Sequence, residues 1–391
     1  MSRILNICHV ITRMVVGGAQ ENTLFTCQGM LEHGHRVTLV TGPSPGPEGE
    51  LLKQGCPAGL TILEVPELCR ELNPWKDWKA YRSLRRVFRE NRYDVVHTHA
   101  SKAGIIGRLA ARKEGVPLVL HTVHGNPFFQ YQNGLVNRFY IWAESVAARR
   151  CDKIYAVAQA MIDQCVAAGI APREKYQVVY SGMDLASFLN AKPEPELRAS
   201  LGIPAASPVI GVIARLFPFK GHDVLMEAAP EVVRACPNVR FLLVGDGILR
   251  EELESRARAL GVEGNFVFAG LIPPNQVCRY TALMDILAHL SLREGLPRAC
   301  VQGLACGVPV VAYPLDGTPE VVLDGQTGLL APPKDTAAVA RHLITLLQDS
   351  DLRHRLGEAG RSLVKTRFEW RHMADTLEQD YLSNLQSRTE N

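Results

Sequence analysis

The sequence predicts an α/β protein made of two doubly wound parallel-sheet domains. Three observations predict it. Strand-length runs of continuous apolar residues alternate with helical stretches, the pattern of a parallel sheet covered on both faces. The alternation breaks once, at a connector rich in proline and alanine, and then restarts. The chain has 391 residues, 47% of them hydrophobic and 21% charged, which is material for two cores.

The elements follow in order. "ILNICHVI" reads as the first strand, and "AQENTLFTCQGMLEHG" as a helix stopped by Gly34. "HRVTLVT" is the next strand. "NPWKDWKAYRSLRRVFRENRYD", Asn73 to Asp94, is a helix. The strands "DVVHTHA", "PLVLHTV", "DKIYAVA" and "YQVVYSG" complete a first domain over 1–182. A linker over 183–207 contains one short helical turn. A second domain over 208–367 carries the strands "VIGVIA", "VRFLLVGDG", "NFVFAGLI", "MDILAHL" and "VPVVAYP". The tail, 368–391, reads as a helix with no strand after it. It must pack against something, and the residues alone leave either domain open.

Composition excludes some classes. A formal charge of +3 gives no footing for nucleic acid. Ten cysteines occur with no C-x-x-C pair, which suits reduced thiols and a cytoplasmic setting. The N-terminal apolar run is broken by Thr12 and Arg13 and reads as a strand, not a signal peptide. No run reaches the roughly 18 apolar residues of a spanning helix, so membrane contact would be peripheral, at the inner face.

In open parallel sheets, ligands bind beyond the carboxyl ends of the strands, so polar residues there are the candidates. Gly17 and Gly18 follow the first strand and open a helix, where backbone N–H groups favour an anion. "HTHASKAG" and "HTVHGNPF" place His97, His99, His121 and His124 at strand ends. H-x-H on a strand points both rings to one face. No carboxylates or cysteines cluster with them, so the sequence implies no metal. His97 and His121 read as satisfied structural residues, and His124, before Gly125, as the one able to touch a substrate. "IARLFPFKGH" brings Arg215 and Lys220 to the end of the first strand of the second domain, where two cations suit a departing diphosphate. The only D-x-D, Asp349 to Asp351, lies between two helices and reads as a stop and an N-cap. "SLREGLPRACVQG" holds Glu294 in a strand-end loop, with Pro297 in the first turn of a helix and Gln302 about two turns in. A carboxylate beside free N–H groups can grip sugar hydroxyls.

With these residues in this order, nearly the whole chain resembles the retaining glycosyltransferases of family 4, the group 1 glycosyltransferases. The likeness is carried by "GGAQ", "DVVHTHASKAGIIGRLAAR", "HTVHG", "VVYSGMDLASF", "IARLFPFKGHD", "LLVGDG", "REGLPRACVQGLACGVPVVA" and "GTPEVVLDGQTGLL". The resemblance implies the GT-B fold, two Rossmann-like doubly wound domains facing across a cleft, with the last helix crossing back onto the first. It implies a nucleotide-sugar donor in the second domain and a glycan or lipid-linked acceptor in the first. Arg215 and Lys220 would bind the diphosphate, approached by Gly17 and Gly18. Glu294 would hold the sugar, helped by the backbone of Gly295, Leu296, Pro297 and Arg298, with His124 near the anomeric carbon. The family has a second glutamate where this chain has Gln302; an amide carbonyl can still accept from a ribose hydroxyl, without a carboxylate's charge-assisted strength. The implied reaction is a retaining, metal-independent hexosyl transfer from a UDP-linked sugar with no cofactor. Its rivals are a nucleotide-sugar epimerase of the same fold and a non-catalytic nucleotide-sugar-binding protein.

One helix carries a further signal. On a 100° wheel over Asn73 to Asp94, Ala80, Tyr81, Leu84, Val87 and Phe88 fall on one arc. Lys79, Arg82, Arg85, Arg86, Arg89 and Arg92 fall opposite, with Trp75 and Trp78 among them. A solvated basic face is the plain reading. Two tryptophans within it point instead to an anionic membrane surface contacted by Trp75, Trp78, Arg82, Arg85, Arg86 and Arg89.

Overall fold

A computed structural model describes residues 3–44 and 51–389. The chain divides into two compact units, 1–183 with 368–391, and 184–367. In the first unit the elements run β1 (Asn6–Arg13), α1 (Gly18–Glu32), β2 (Arg36–Gly42), α2 (Leu51–Gln54), β3 (Thr61–Glu64), α3 (Pro74–Asn91), β4 (Val95–His99), α4 (Ser101–Lys113), β5 (Leu118–Val123), α5 (Gly134–Ala148), β6 (Lys153–Ala156), α6 (Gln159–Ala167) and β7 (Tyr176–Val178). Among the described residues these strands form one parallel sheet in the order β3-β2-β1-β4-β5-β6-β7.

The second unit begins with two short helices, α7 (Ala186–Leu189) and α8 (Pro195–Ser200). It continues β8 (Val209–Ile213), α9 (His222–Ala235), β9 (Arg240–Val244), α10 (Arg250–Ala259), β10 (Phe266–Gly270), α11 (Val277–Thr281), β11 (Ile286–His289), α12 (Arg298–Ala305), β12 (Val310–Ala312), β13 (Gly328–Leu330), α13 (Thr336–Gln348) and α14 (Ser350–Arg367). Its sheet is also parallel, ordered β10-β9-β8-β11-β12-β13. Asp349 ends α13, and its Oδ1 accepts from the Leu352 N–H at 2.8 Å, so the D-x-D segment serves as stop and cap.

Strand order reverses between β1 and β4 in the first sheet and between β8 and β11 in the second. Those are the points where loops diverge to opposite faces and leave room for a ligand. The strands are buried on both sides, which explains their continuous apolar runs: β4 has no exposed residue, and Ile210, Phe241, Leu243, Ile286 and Val311 form one core with Val339 and Leu343 of α13.

The tail helix α15 (Trp370–Thr389) joins the first unit, against α1 and β5. Gly29 of α1 makes this possible, since a Cβ there would lie 2.2 Å from the Ala374 Cβ. Asp380 then accepts from Lys153 and Tyr155, and Tyr381 meets His97. On the other face α4 touches both α3 and α5, so those three helices form one layer, as right-handed crossovers require.

Candidate functional site

The loops after β8 and β11 lock together in the second unit. Leu292 N–H donates to the Phe219 carbonyl at 2.8 Å, and Ser291 Oγ reaches the same oxygen at 3.3 Å. Gly221 is required at this junction. Its φ is +76°, and a Cβ would sit 2.1 Å from the Leu290 carbonyl oxygen.

This junction brings Lys220 and Glu294 into contact, residues 74 apart in sequence. Lys220 Nζ donates to Glu294 Oε1 at 2.5 Å and lies 3.4 Å from Ser291 Oγ. The side chains are 24% and 18% exposed. His289 Nε2 is 3.6 Å from the same carboxylate oxygen, buried and without a hydrogen-bond partner among the described residues. Burial pushes the Glu294 carboxyl up, but His289, Lys220 and Ser291 outweigh it, so the pKa is lowered and the group stays ionised. Burial pushes His289 down, toward the neutral imidazole. Read separately, Lys220 belongs to a diphosphate and Glu294 to a sugar; the structure shows them as one charge pair.

The Glu294 loop is anchored at its backbone. Glu294 N–H donates to Asp316 Oδ2 at 2.8 Å, and Gly317 N–H to the Gly295 carbonyl at 3.1 Å. Pro297 precedes α12 instead of lying in its first turn, and as a proline it contributes no N–H. The N-terminus of α12 has no side-chain cap, and the Cys300 and Val301 N–H groups donate to the Pro297 carbonyl at 3.0 and 3.3 Å, so the positive end of the helix dipole lies at its first two residues. Gln302 is the fifth residue of α12, little more than one turn in, and half-buried. Arg215 is exposed at the end of β8, its guanidinium 5.1 Å from the Phe217 ring, while its carbonyl accepts from His222 Nε2 at 3.0 Å.

In the first unit, Gly17 caps α1 in extended backbone, with no side chain on the helix N-terminus. His124, just past β5, is half-buried. Its Nε2 lies 3.1 Å from His99 Nδ1, and His99 Nε2 lies 3.0 Å from His9 Nδ1. His9 stands opposite His97 in the β1–β4 register. His97 is held by Tyr381 and by Thr122 Oγ1 at 2.7 Å, and His121 by Thr98. His9, His97 and His99 bring nitrogens within 4.8 Å of one another. Both nitrogens of His97 already have hydrogen-bond partners and no carboxylate among the described residues joins the group, so it reads as a hydrogen-bonded column.

Helix α3 is capped by Asn73, whose Oδ1 accepts from Trp75 and Lys76 N–H groups at 3.1 Å. Ala80, Leu84 and Phe88 are its buried face. Trp75 and Trp78 are exposed and stacked at 5.2 Å, with the Arg82 guanidinium 4.9 Å from the Trp78 ring. Arg85 and Arg89 are not free cations: both pair with Glu114, at the C-terminus of α4, and hold its carboxyl down at about 2, with Arg89 the larger influence. The available basic residues of that face therefore reduce to Lys79, Arg82, Arg86 and Arg92.

Sequence reasoning missed four features. Asp316 and His289 support Glu294, and His9 begins the histidine column. The fourth is α5, where Leu135, Phe139 and Trp142 are 76%, 49% and 63% exposed while Ala143 and Ala147 are buried. The buried Arg108–Glu144 pair ties this helix to α4.

Comparison with known proteins meets these two sites. Residues 193–363 match the family model described as glycosyl transferases group 1, and residues 16–187 match glycosyltransferase family 4. The chain is 32% identical over 314 residues to a D-inositol 3-phosphate glycosyltransferase of Segniliparus rotundus, covering 75% of this chain and 67% of that one. It is 28% identical over 352 residues, 89% of each chain, to an Escherichia coli UDP-Gal:alpha-D-GlcNAc-diphosphoundecaprenol alpha-1,3-galactosyltransferase. Among solved structures, Anabaena HepE in complex with UDP and glucose superposes with a TM-score of 0.80 at 22% identity, over 96% of this chain and 99% of that one. That likeness establishes the GT-B fold of paired Rossmann-like domains. The chain belongs to the group 1, family 4 glycosyltransferases.

Proposed function

We propose that this glycosyltransferase moves a hexosyl group from a UDP-linked sugar to a lipid-linked glycan, with retention of anomeric configuration and without a metal. The observation that carries the reading is the Lys220–Glu294 pair at the switch point of the second sheet, beside Arg215 and the uncapped α12. Arg215 and Lys220 take the diphosphate, Glu294 and the α12 backbone take the sugar, and Gln302 takes the ribose. From the first unit we assign His124 to the transferred sugar and the Gly17–Gly18 turn to the phosphates.

The acceptor oxygen bonds to the anomeric carbon as the bond from that carbon to the phosphate oxygen breaks. The acceptor proton passes to the departing phosphate oxygen, so no protein carboxylate acts as nucleophile. Catalysis is then positioning plus stabilisation of charge on the leaving diphosphate by two cations and a helix N-terminus.

The choice of acceptor rests on two surfaces of the first unit and on the relative that acts on a diphosphoundecaprenol-linked sugar. No described helix is long and apolar enough to cross a membrane. The exposed Trp75, Trp78, Arg82 and Arg86 of α3, and the exposed Leu135, Phe139 and Trp142 of α5, flank α4 in one layer. Between Gly125 and Arg150 the only acidic residue is Glu144, which is buried. Aromatic and leucine side chains among arginines suit an anionic lipid surface.

The test is a panel of nucleotide sugars incubated with and without a polyprenyl-diphosphate-linked acceptor, in EDTA. The proposal predicts transfer with a UDP-sugar, undiminished by EDTA, and slow donor hydrolysis without acceptor. Epimer formation, binding without turnover, or loss of transfer restored by Mg²⁺ or Mn²⁺ each contradicts it.

A further inference from the structure

We infer that His9 and His99 form a hydrogen-bonded relay that fixes the tautomer and orientation of His124, so that its Nδ1 carries the proton toward the transferred sugar. The inference rests on the proposed role of His124 for its catalytic consequence, and on geometry alone for the relay. The three rings span three adjacent strands: His9 in the middle of β1, His99 as the last residue of β4, His124 just beyond β5. Consecutive nitrogens are 3.0 and 3.1 Å apart, and neighbouring rings lie nearly parallel, at 28° and 27°. His99 is fixed further by stacking on His97 at 4.4 Å.

A neutral imidazole has one N–H and one lone pair, so a chain of them must all point the same way. The direction is set at the closed end. His9 Nε2 is buried and has no hydrogen-bond partner among the described residues. An N–H stranded there costs more than a stranded lone pair, because orphaned buried donors are the rarer and dearer case. The His9 proton therefore sits on Nδ1 and is donated to His99 Nε2. His99 must then carry its proton on Nδ1 and donate it to His124 Nε2. His124 is left with its own proton on Nδ1, a donor on the edge that faces away from the relay. Burial keeps His9 and His99 neutral, pushing His9 down to about 3. Such support is what orients a reacting imidazole and selects its tautomer. His9 and His99 touch no substrate; they are positioning residues.

The experiment is two-bond ¹H–¹⁵N correlation of the imidazole rings in the full-length ¹⁵N-labelled protein, paired with steady-state transfer kinetics. In the wild type, His124 should show a protonated Nδ1 and a lone-pair Nε2 at neutral pH. His99→Phe should scramble that pattern and lower kcat by about tenfold with little change in donor KM, the loss of one oriented hydrogen bond. His99→Asn keeps an N–H donor where Nδ1 lies, and should restore the His124 tautomer and most of kcat. Two results overturn the inference: a wild-type His124 protonated on Nε2, which needs no variant to fold, or a folded His99→Phe with altered tautomer and unchanged kcat. Full activity in His124→Ala would instead remove the assignment of His124 to the sugar, while the ring resonances still judge the relay.

Discussion

Replacing Lys220 with methionine tests the charge pair as a unit. The substitution keeps the length of the chain and removes the ammonium that donates to Glu294 Oε1 at 2.5 Å. At that distance the Coulomb attraction is about 7 kcal/mol for an effective dielectric near 20, before desolvation is subtracted. Stranding one partner of a fully buried pair costs about 3–5 kcal/mol. Here the two side chains keep 24% and 18% exposure, and the Ser291 hydroxyl still supports the carboxylate, so the expected loss is lower, about 2–3 kcal/mol of folding stability. Glu294→Gln should cost a similar amount. The double variant should lose clearly less than the sum, with a coupling of about 1–2 kcal/mol, because the second change removes a partner already stranded. The effect on transfer should be larger than a single binding contact. Lys220→Met should lower kcat/KM by at least ten- to a hundredfold, since about 1.5–3 kcal/mol attaches to one charge-assisted bond and more to one used only in the transition state. Urea unfolding and initial-rate kinetics on the four proteins measure both. Additive stabilities together with near-normal turnover in Lys220→Met would refute the reasoning.

Gln302→Glu should retain activity and lower the donor Kd, whereas Gln302→Leu should raise it by about 1 kcal/mol, roughly fivefold; titration of UDP-sugar decides, and the reverse order contradicts a ribose contact. Burial lowers the pKa of His9 to about 3 and lowers those of His97, His99 and His121 from 6.5. The unfolded chain thus binds more protons below pH 6.5, so their contribution is complete above that value and is lost as pH falls toward 3, at up to about 1.4 kcal/mol per pH unit per imidazole. Urea midpoints at pH 7.5 and 5.5 should differ in that direction; equal midpoints would contradict it. Co-sedimentation with phosphatidylglycerol vesicles should fall with Arg82→Glu/Arg86→Glu at low salt, and with Leu135→Ser/Trp142→Ser at both low and high salt. Wild-type protein that stays in the supernatant at low salt would leave a water-soluble acceptor as the better reading.

Most of the fold was legible because each central strand is covered on both faces and so reads as an apolar run. The two strands that escaped are both at sheet edges. β3 is mostly exposed, and β13 has three residues inside a loop-like stretch. Neither buries enough to leave a pattern. In the site, Arg215, Lys220, Glu294 and Gln302 could be picked out because their loops carry local signals, glycine, proline and charge at a strand end. What joins them could not. Lys220 meets Glu294, and His9 lines up with His99 and His124, only through the order of parallel strands far apart in sequence. Helix α5 was missed for another reason. Its small alanines face the protein and its large apolar residues face outward, the inverse of an ordinary surface helix, so apolar periodicity does not mark the outward stripe as exposed.

The anomeric configuration of the first product formed tests the central account most directly. ¹H NMR of a reaction started with an α-linked UDP-sugar and a lipid-linked acceptor should show an α-linked product and UDP in equal amounts, with Arg215 and Lys220 variants slow. A β-linked product would contradict transfer with retention, and with it the roles given to Arg215, Lys220 and Glu294.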